Sequence, residues 1–293
     1  MRVLILGGGA REHALCWKIA QSEFCEKVYI APGNGGTTQY NVALDIKNFE
    51  EIYKFCVQEK INVIVPGGEA LIVQGIADFF ESKDIYVFAP NSGAAQIEGS
   101  KLFAKQFMKN HNIPTALYSS FNKENIDQAF EYIEQHPLPI VLKADGLAAG
   151  KGVFITQNRN EAKNIIKQLI LDETLGKAGQ NVIVEEYLVG VEMSVFIITD
   201  GKNWFFLPTA KDYKRIGEYD RGKNTGGMGA VAPIPTAQPS FLKQVEERIL
   251  IPTLKGLQEM NCPYKGVLYL GLINANGQPY VLEYNVRFGD PEA

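Results

Sequence analysis

The sequence predicts an α/β chain with an added α+β region: a doubly wound parallel sheet at the N-terminus, then segments forming largely antiparallel sheets. Over residues 1 to about 90, short β-rich runs alternate with helical ones, the pattern of parallel strands joined by crossover helices. Further on, Asp200-Gly201 and Asn276-Gly277 each lie between strand-like segments, and both dipeptides favour the tight turns that pair neighbouring strands antiparallel. With 293 residues, 46% hydrophobic and 21% charged, the chain has material for two or three globular units.

The N-terminal alternation runs from a strand at Arg2–Leu6 to a helix at Glu12–Gln21. It continues with a strand at Lys27–Ala31, a helix at Phe49–Lys60, a strand at Val63–Pro66, a helix at Leu71–Ser82 and a strand at Ile85–Ala89. Ala89-Pro-Asn-Ser-Gly93 marks a break, after which Ser100 is placed to cap a helix through Met108. Lys101, Lys105 and Lys109 fall at i, i+4 spacing on that helix, by default a solvated face. Ile140 to Ile155 reads as two strands joined by a loop with glycines at 146, 150 and 152; Lys143 points opposite to Leu142, and Lys151 lies in the loop. Val182 to Glu192 gives a strand and a short connector into the strand Glu192–Thr199. Lys211–Arg215 and Arg221–Gly229 form one long cationic, glycine-rich loop, a length that is functional or disordered when no secondary structure interrupts it. The helical stretch Phe241–Met260 is interrupted by Pro252. No internal repeat or low-complexity tract occurs.

The chain closes on Val281-Leu-Glu-Tyr-Asn-Val-Arg-Phe-Gly-Asp-Pro-Glu292, read as a strand entering a tight turn. Alternation sends Glu283, Asn285 and Arg287 to one face and Leu282, Tyr284, Val286 and Phe288 to the other. A carboxylate, an amide oxygen and a guanidinium in a row suit a hard cation held beside a bound anion, and a half-buried strand with a wet polar face is the plainer alternative.

A net charge of −4 gives no general electrostatic case for nucleic acid or an anionic membrane, so any anion site must be local. No stretch reaches the roughly 18 apolar residues of a membrane span, and strand residues stand at the N-terminus in place of a leader, so a cytoplasmic protein is expected. Cys16, Cys25, Cys56 and Cys262 show no metal or redox spacing and are expected to be free thiols. With three histidines and no cysteine in a nucleophilic context, triad chemistry has little to stand on.

Gly7-Gly-Gly-Ala-Arg-Glu-His13 follows the first strand and opens the first helix, where free N–H groups attract phosphate. As a dinucleotide fingerprint it fails. Glu12 stands where glycine is needed, and the second strand, Val28-Tyr-Ile-Ala31, ends without the acid that holds a ribose hydroxyl. A phosphorylated small molecule fits better than NAD, and an NAD-linked oxidoreductase is left as a remote reading. Two further loops, Pro32-Gly-Asn-Gly-Gly-Thr37 and Pro66-Gly-Gly-Glu-Ala70, would face the same crevice. The loop at 146–152 lets backbone N–H groups close over phosphates, but it is no Walker A loop, since neither Ser nor Thr follows the lysine.

Taken in order, these stretches resemble phosphoribosylamine-glycine ligase, or glycinamide ribonucleotide synthetase, of the ATP-grasp superfamily. The resemblance rests on residues 7–14, 31–37, 143–153, 212–215, 224–230 and 283–292, and so spans the chain. It implies a Rossmann-like, pre-ATP-grasp N-terminal domain (1–99) binding substrate, a linker helix region (100–120), and small (121–188) and large (189–293) ATP-grasp subdomains. The family continues beyond the position of Ala293 with a helix and a further domain, on the order of 100 residues. Two forms are therefore open: part of a longer product, or a chain that binds ATP without a competent active site.

The implied reaction is purine-pathway ligation of glycine to 5-phosphoribosylamine with ATP and Mg²⁺ or Mn²⁺, through an acyl phosphate of glycine. Another ATP-grasp carboxylate-amine ligase is the enzymatic alternative, and other purine-pathway enzymes are conceivable partners. By carry-over, Lys105, Lys143 and the Gly150-Lys151-Gly152 loop would hold ATP phosphates. Glu185, Glu186, Tyr187 and Leu188 would receive adenine, Glu192 would bind the ribose, and Glu283 and Asn285 would ligate the metal. Arg287, with Asp212, Lys214, Asn224, Gly226 and Gly227, would embrace the reacting carboxylate and the transferred phosphoryl group. Gly9, Arg11, Glu12, Asn34, Gly36, Thr37 and Glu69 would hold the phosphoribosyl substrate. Family members often carry proline where Gly68 stands, a departure within that last loop.

Overall fold

The first strand, Val-Leu-Ile-Leu over residues 3–6, is buried on both faces, as an apolar run without alternation requires. In the computed structural model the described residues are 1–148, 152–218 and 221–293, with the side chains of Lys223 and Asn224 set aside. The N-terminal elements are β1 (Arg2–Gly7), α1 (Ala10–Ile19), β2 (Lys27–Pro32), α2 (Phe49–Glu59), β3 (Val63–Pro66), α3 (Glu69–Val73), α4 (Ile76–Phe80), β4 (Tyr86–Val87) and α5 (Ser92–Gly99). The four strands pair in parallel in the order β2-β1-β3-β4, so the loops after β1, β2 and β3 share the carboxyl edge of one sheet. The single helix expected over Leu71–Ser82 is two short ones, broken at Gly75, whose φ of +88° no helix accepts.

The second unit comprises α6 (Lys101–Asn110), β5 (Tyr118–Phe121), α7 (Ile126–Gln135), β6 (Ile140–Ala144), β7 (Val153–Thr156), α8 (Arg159–Ile170) and β8 (Val182–Glu186). The hydroxyl of Ser100 accepts the N–H of Phe103 and caps α6, as the sequence predicts. The strands form an antiparallel sheet ordered β5-β8-β6-β7, on which α7 and α8 pack a core of their own around Leu142, Val184 and Ile166.

The remaining elements are β9 (Val191–Thr199), β10 (Trp204–Phe206), β11 (Lys211–Asp212), β12 (Arg215–Gly217), β13 (Arg221–Asn224), β14 (Ala230–Val231), α9 (Pro239–Val245), α10 (Ile251–Glu259), β15 (Gly266–Ala275) and β16 (Gln278–Asn285). The larger sheet is antiparallel in the order β10-β9-β15-β16, with both expected hairpins in place; Asn276 and Gly277 take φ of 52° and 82° at the second turn. Helix passes through Pro252 because the chain widens into a π turn over Glu246–Leu250, easing the clash of the ring with the preceding turn. The long loop expected at 211–229 instead carries small β-structure, β11 with β14 and β12 with β13. The N-terminal sheet and this larger sheet share one apolar core, running from Leu4 and Ile64 through Ile97 and Phe107 to Leu270 and Tyr284. All four cysteines are free, and no helix among the described residues is long and apolar enough to cross a membrane.

Leu270 is fully buried where these two sheets' core is continuous. Leu270→Ala is expected to cost about 2 to 5 kcal/mol. Chemical denaturation would detect it, and a loss below about 1 kcal/mol would contradict a shared, tightly packed core.

Candidate active site

Three charged side chains meet where the smaller sheet faces the larger one. Lys143 stands on β6 and Glu185 on β8, in adjacent strands, while Lys105 reaches in from α6. Lys143 Nζ lies 2.9 Å from Glu185 Oε2 and donates to the Leu282 carbonyl at 3.1 Å. Lys105, 2% exposed, donates to Thr115 Oγ1 at 2.7 Å and the Ala116 carbonyl at 3.3 Å, and pairs with Glu185 Oε1 at 3.2 Å. That last contact is out of line for a hydrogen bond, so Glu185 Oε1 remains buried with no donor among the described residues. Burial pushes the Lys105 ammonium down to about 8 against the pull of Glu185. The solvated helix face expected for Lys101 and Lys105 is thus corrected: Lys105 is buried, and Lys101 Nζ turns to the Gly146 carbonyl at 3.2 Å.

The second cluster lies at the end of β16. A bulge opposite Gly271 makes Leu282 an extra residue, so Leu282 lines the same small cavity as Glu283. The strict alternation read from the sequence fails there, and the strand ends at Asn285. Glu283 faces the cleft with Lys214 Nζ at 3.6 Å. Burial alone would raise its carboxyl, but Lys214, Lys143, Lys101 and Arg287 hold it below the ordinary range. Arg287 donates to Asn285 Oδ1 at 2.9 Å and pairs with Glu69 at 3.2 Å and Glu98 at 3.0 Å. Arg287 therefore ties the N-terminal unit to the strand that carries Glu283 and Asn285.

Two family models together match the whole chain: phosphoribosylglycinamide synthetase N domain over residues 1–98, and its ATP-grasp (A) domain over residues 99–293. The chain belongs to the phosphoribosylglycinamide synthetase family. It is 44% identical over 297 residues to the phosphoribosylamine-glycine ligase of Pasteurella multocida, covering all of this chain and 69% of that protein. It is also 44% identical over 296 residues to a bifunctional purine biosynthetic protein of Schizosaccharomyces pombe, of which it spans 37%. A solved phosphoribosylamine-glycine ligase from Thermotoga maritima superposes with a TM-score of 0.85 at 38% identity, over the full chain and 70% of that structure.

Within the synthetase N domain, several residues expected to hold substrate are already committed to the fold. Glu12 accepts from the Gly9 N–H at 2.6 Å and the Arg11 guanidinium at 2.7 Å, so a carboxylate occupies the N-terminus of α1. Arg11 also donates to the Phe288 carbonyl at 3.1 Å. The Thr37 hydroxyl is used by the Asn34 and Asn41 side of its own loop, and Asn34 reaches back to the Gly8 and Gly9 carbonyls at 3.2 and 3.3 Å. Gly36 lies against the His13 ring, where an added Cβ would stand 2.1 Å from it. These contacts pack the loops after β1 and β2 together, and Glu69 is the member of the group that reaches the second cluster.

In the ATP-grasp domain, Glu186 accepts the Leu117 N–H at 2.8 Å and fixes the connector, leaving Tyr187 exposed and Leu188 half-buried. Glu192 lines the cavity beside Glu283. Asp212 stands on β11, its carboxyl pushed up to about 6 by burial, with Lys214 opposing and Glu292, Glu192 and Glu283 adding to the rise. Gly227 folds against Asp212 and Pro291, while Gly226 faces open space. Gly152 packs on Ala148 and Ala144. Gly150, Lys151 and the side chain of Asn224 lie outside the described residues.

Glu98 was missed in the sequence, although it is the lone acid among Ala94, Ala95 and Ile97 of α5. Its carboxylate accepts the Val286 N–H at 2.6 Å and pairs with Arg287. Burial raises it from 4.5 to about 7, with Arg287 only partly offsetting. Folding therefore favours the protonated acid: the stability it contributes is full below about 4.5 and is lost as pH rises through about 7. Glu98→Gln should flatten the change in unfolding free energy across that window by on the order of 3 kcal/mol. Denaturant titrations at both ends test it, and an unchanged slope would exclude Glu98 as the titrating group.

Proposed function

We propose that this chain activates the carboxylate of glycine with ATP and joins it to the amine of 5-phosphoribosylamine, giving glycinamide ribonucleotide, ADP and phosphate. The observation that carries this reading is the convergence of Lys143, Lys214 and Arg287 on a strand end bearing one carboxylate and one amide oxygen, with Lys105 set behind Lys143 on the shared Glu185. A carboxylate has no adequate leaving group, so an amine can displace oxygen only after phosphorylation. The residues gathered here serve that chemistry.

Lys143, with one N–H beyond those used by Glu185 and Leu282, is placed to meet a phosphate oxygen, and Lys105 backs it from the interior. Glu185 Oε1 lacks a donor among the described residues and fits an exocyclic amine such as that of adenine, next to the connector backbone of residues 187 and 188. Glu192 offers its carboxylate to ribose hydroxyls. Arg287, fixed by Glu69, Glu98 and Asn285, presents a rigid guanidinium toward the transferred phosphoryl group and the reacting carboxylate. The loops after β1 and β2, with Glu69, border the phosphoribosyl substrate.

Glu283 and Asn285 suit a hard divalent cation, because both offer oxygen and the amide oxygen keeps a second lone pair beside its bond to Arg287. Among the described residues no three His, Cys, Asp or Glu side chains converge as a cage. The protein would thus hold Mg²⁺ or Mn²⁺ by two ligands and leave the rest to phosphate oxygens and water, a sharing that suits Mg²⁺. When bound, the ion neutralises charge on the transferred phosphoryl group. Orientation of reactants supplies roughly 7 to 11 kcal/mol in favourable cases, which leaves no need for a protein nucleophile.

Lys143→Ala and Glu283→Ala are each expected to lower glycine-dependent ADP release by on the order of a hundredfold or more, with the native fold retained by circular dichroism. Product analysis with glycine, 5-phosphoribosylamine and ATP makes the test. Parent-like activity in either variant would remove the phosphate or metal assignment, and parent protein without glycine-dependent ADP release would remove the ligase reading.

A further inference from the structure

Asp212, expected near the reacting carboxylate, cannot bind that group directly, since two carboxylates at close range repel. Its Oδ1 is buried and accepts no hydrogen bond among the described residues. An ionised oxygen in that state lacks the donor that burial demands, and the nearby Glu192, Glu283 and Glu292 worsen its position. Neighbouring polar groups are already spent: the Ser194 hydroxyl is shared between Tyr269 and Glu292 at 2.9 Å each, and Lys214 is turned toward Glu283.

The space beside Asp212 is small and polarised. A cavity of about 30 Å³ is lined by Asp212, Ser194 and Tyr269 together with Lys214, Glu192 and Glu283. That volume holds a single small group. Gly227 packs against Asp212 itself, so closely that a Cβ there would stand 3.1 Å from Asp212 Oδ1 and 2.7 Å from Pro291. An unpaired acid therefore lies two residues from a lysine, in a space that admits almost no side chain.

We propose that Asp212 binds the α-ammonium of the amino-acid substrate and, with the close approach of Gly227, selects glycine by charge and size. This rests on the ligase reading above. The ammonium supplies the donors Oδ1 lacks, and the substrate carboxylate then lies toward Lys214 and the metal ligands, so the zwitterion is read at both ends.

Equilibrium binding separates the possibilities. Calorimetry of the full chain, loaded with Mg²⁺ and a non-hydrolysable ATP analogue, would compare glycine, L-alanine and glycolate, which replaces the ammonium by a hydroxyl. The parent protein is expected to prefer glycine over glycolate and over alanine by at least thirtyfold each. Asp212→Asn is expected to weaken glycine by at least thirtyfold and glycolate by less than threefold, with affinity for the ATP analogue within threefold of the parent. Equal affinity of the parent for glycine and glycolate overturns the proposal without any variant. Parent-like glycine binding in Asp212→Asn, or loss confined to the nucleotide, overturns it while leaving the ligase reading intact. A parent that binds the ATP analogue and neither glycine nor alanine overturns both.

Discussion

The pairing of one buried carboxylate with two lysines is the constraint on which the rest of the site depends. Glu185 and Lys105 are almost wholly removed from water, so each offsets the cost of burying the other. Losing either partner would leave an uncompensated charge, a defect that typically costs 3 to 5 kcal/mol in similar settings. The same group of atoms fixes position. Lys105 bonds Thr115, whose hydroxyl donates to the Val281 carbonyl, and Lys143 bonds the Leu282 carbonyl, so both lysines are set against the strand that leads to Glu283 and Asn285.

Two different kinds of contact therefore hold the molecule together. The N-terminal sheet and the larger antiparallel sheet are joined by a continuous apolar core. The smaller sheet keeps a separate core and meets them through polar contacts: Lys143 with Leu282, and Asp145 with Ser100 and Leu102. Water competes for such bonds as it cannot for buried methyl groups, so this seam is the weaker one. A nucleotide between the sheets would add phosphate contacts on one side of the seam and metal contacts on the other.

Much of this was legible in the sequence because local pattern and tertiary demand agree. Strand-helix alternation gave the parallel unit, the Asp-Gly and Asn-Gly turns gave the hairpins, and Ser100 gave the start of α6. The polar strand end was readable as a row of a carboxylate, an amide and a guanidinium, and Glu283, Asn285 and Arg287 do cluster there. What escaped notice depends on partners distant in the chain. Spacing places Lys101 and Lys105 on one face of α6 but does not say which way the face turns. The bulge at Leu282 is set by pairing with β15, and Glu98 gains its meaning from the Val286 N–H and from Arg287, 189 positions away. Glu12, read as part of a phosphate loop, instead caps its own helix, a choice open to any glutamate in a first turn.

The central claim is that this cluster of cations activates a carboxylate by moving phosphoryl from ATP onto it. Its most direct test is isotopic: glycine labelled with ¹⁸O in the carboxylate, turned over with ATP and 5-phosphoribosylamine, and mass analysis of the phosphate released. The account predicts one ¹⁸O in each phosphate formed. Phosphate formed together with product but free of label would contradict it.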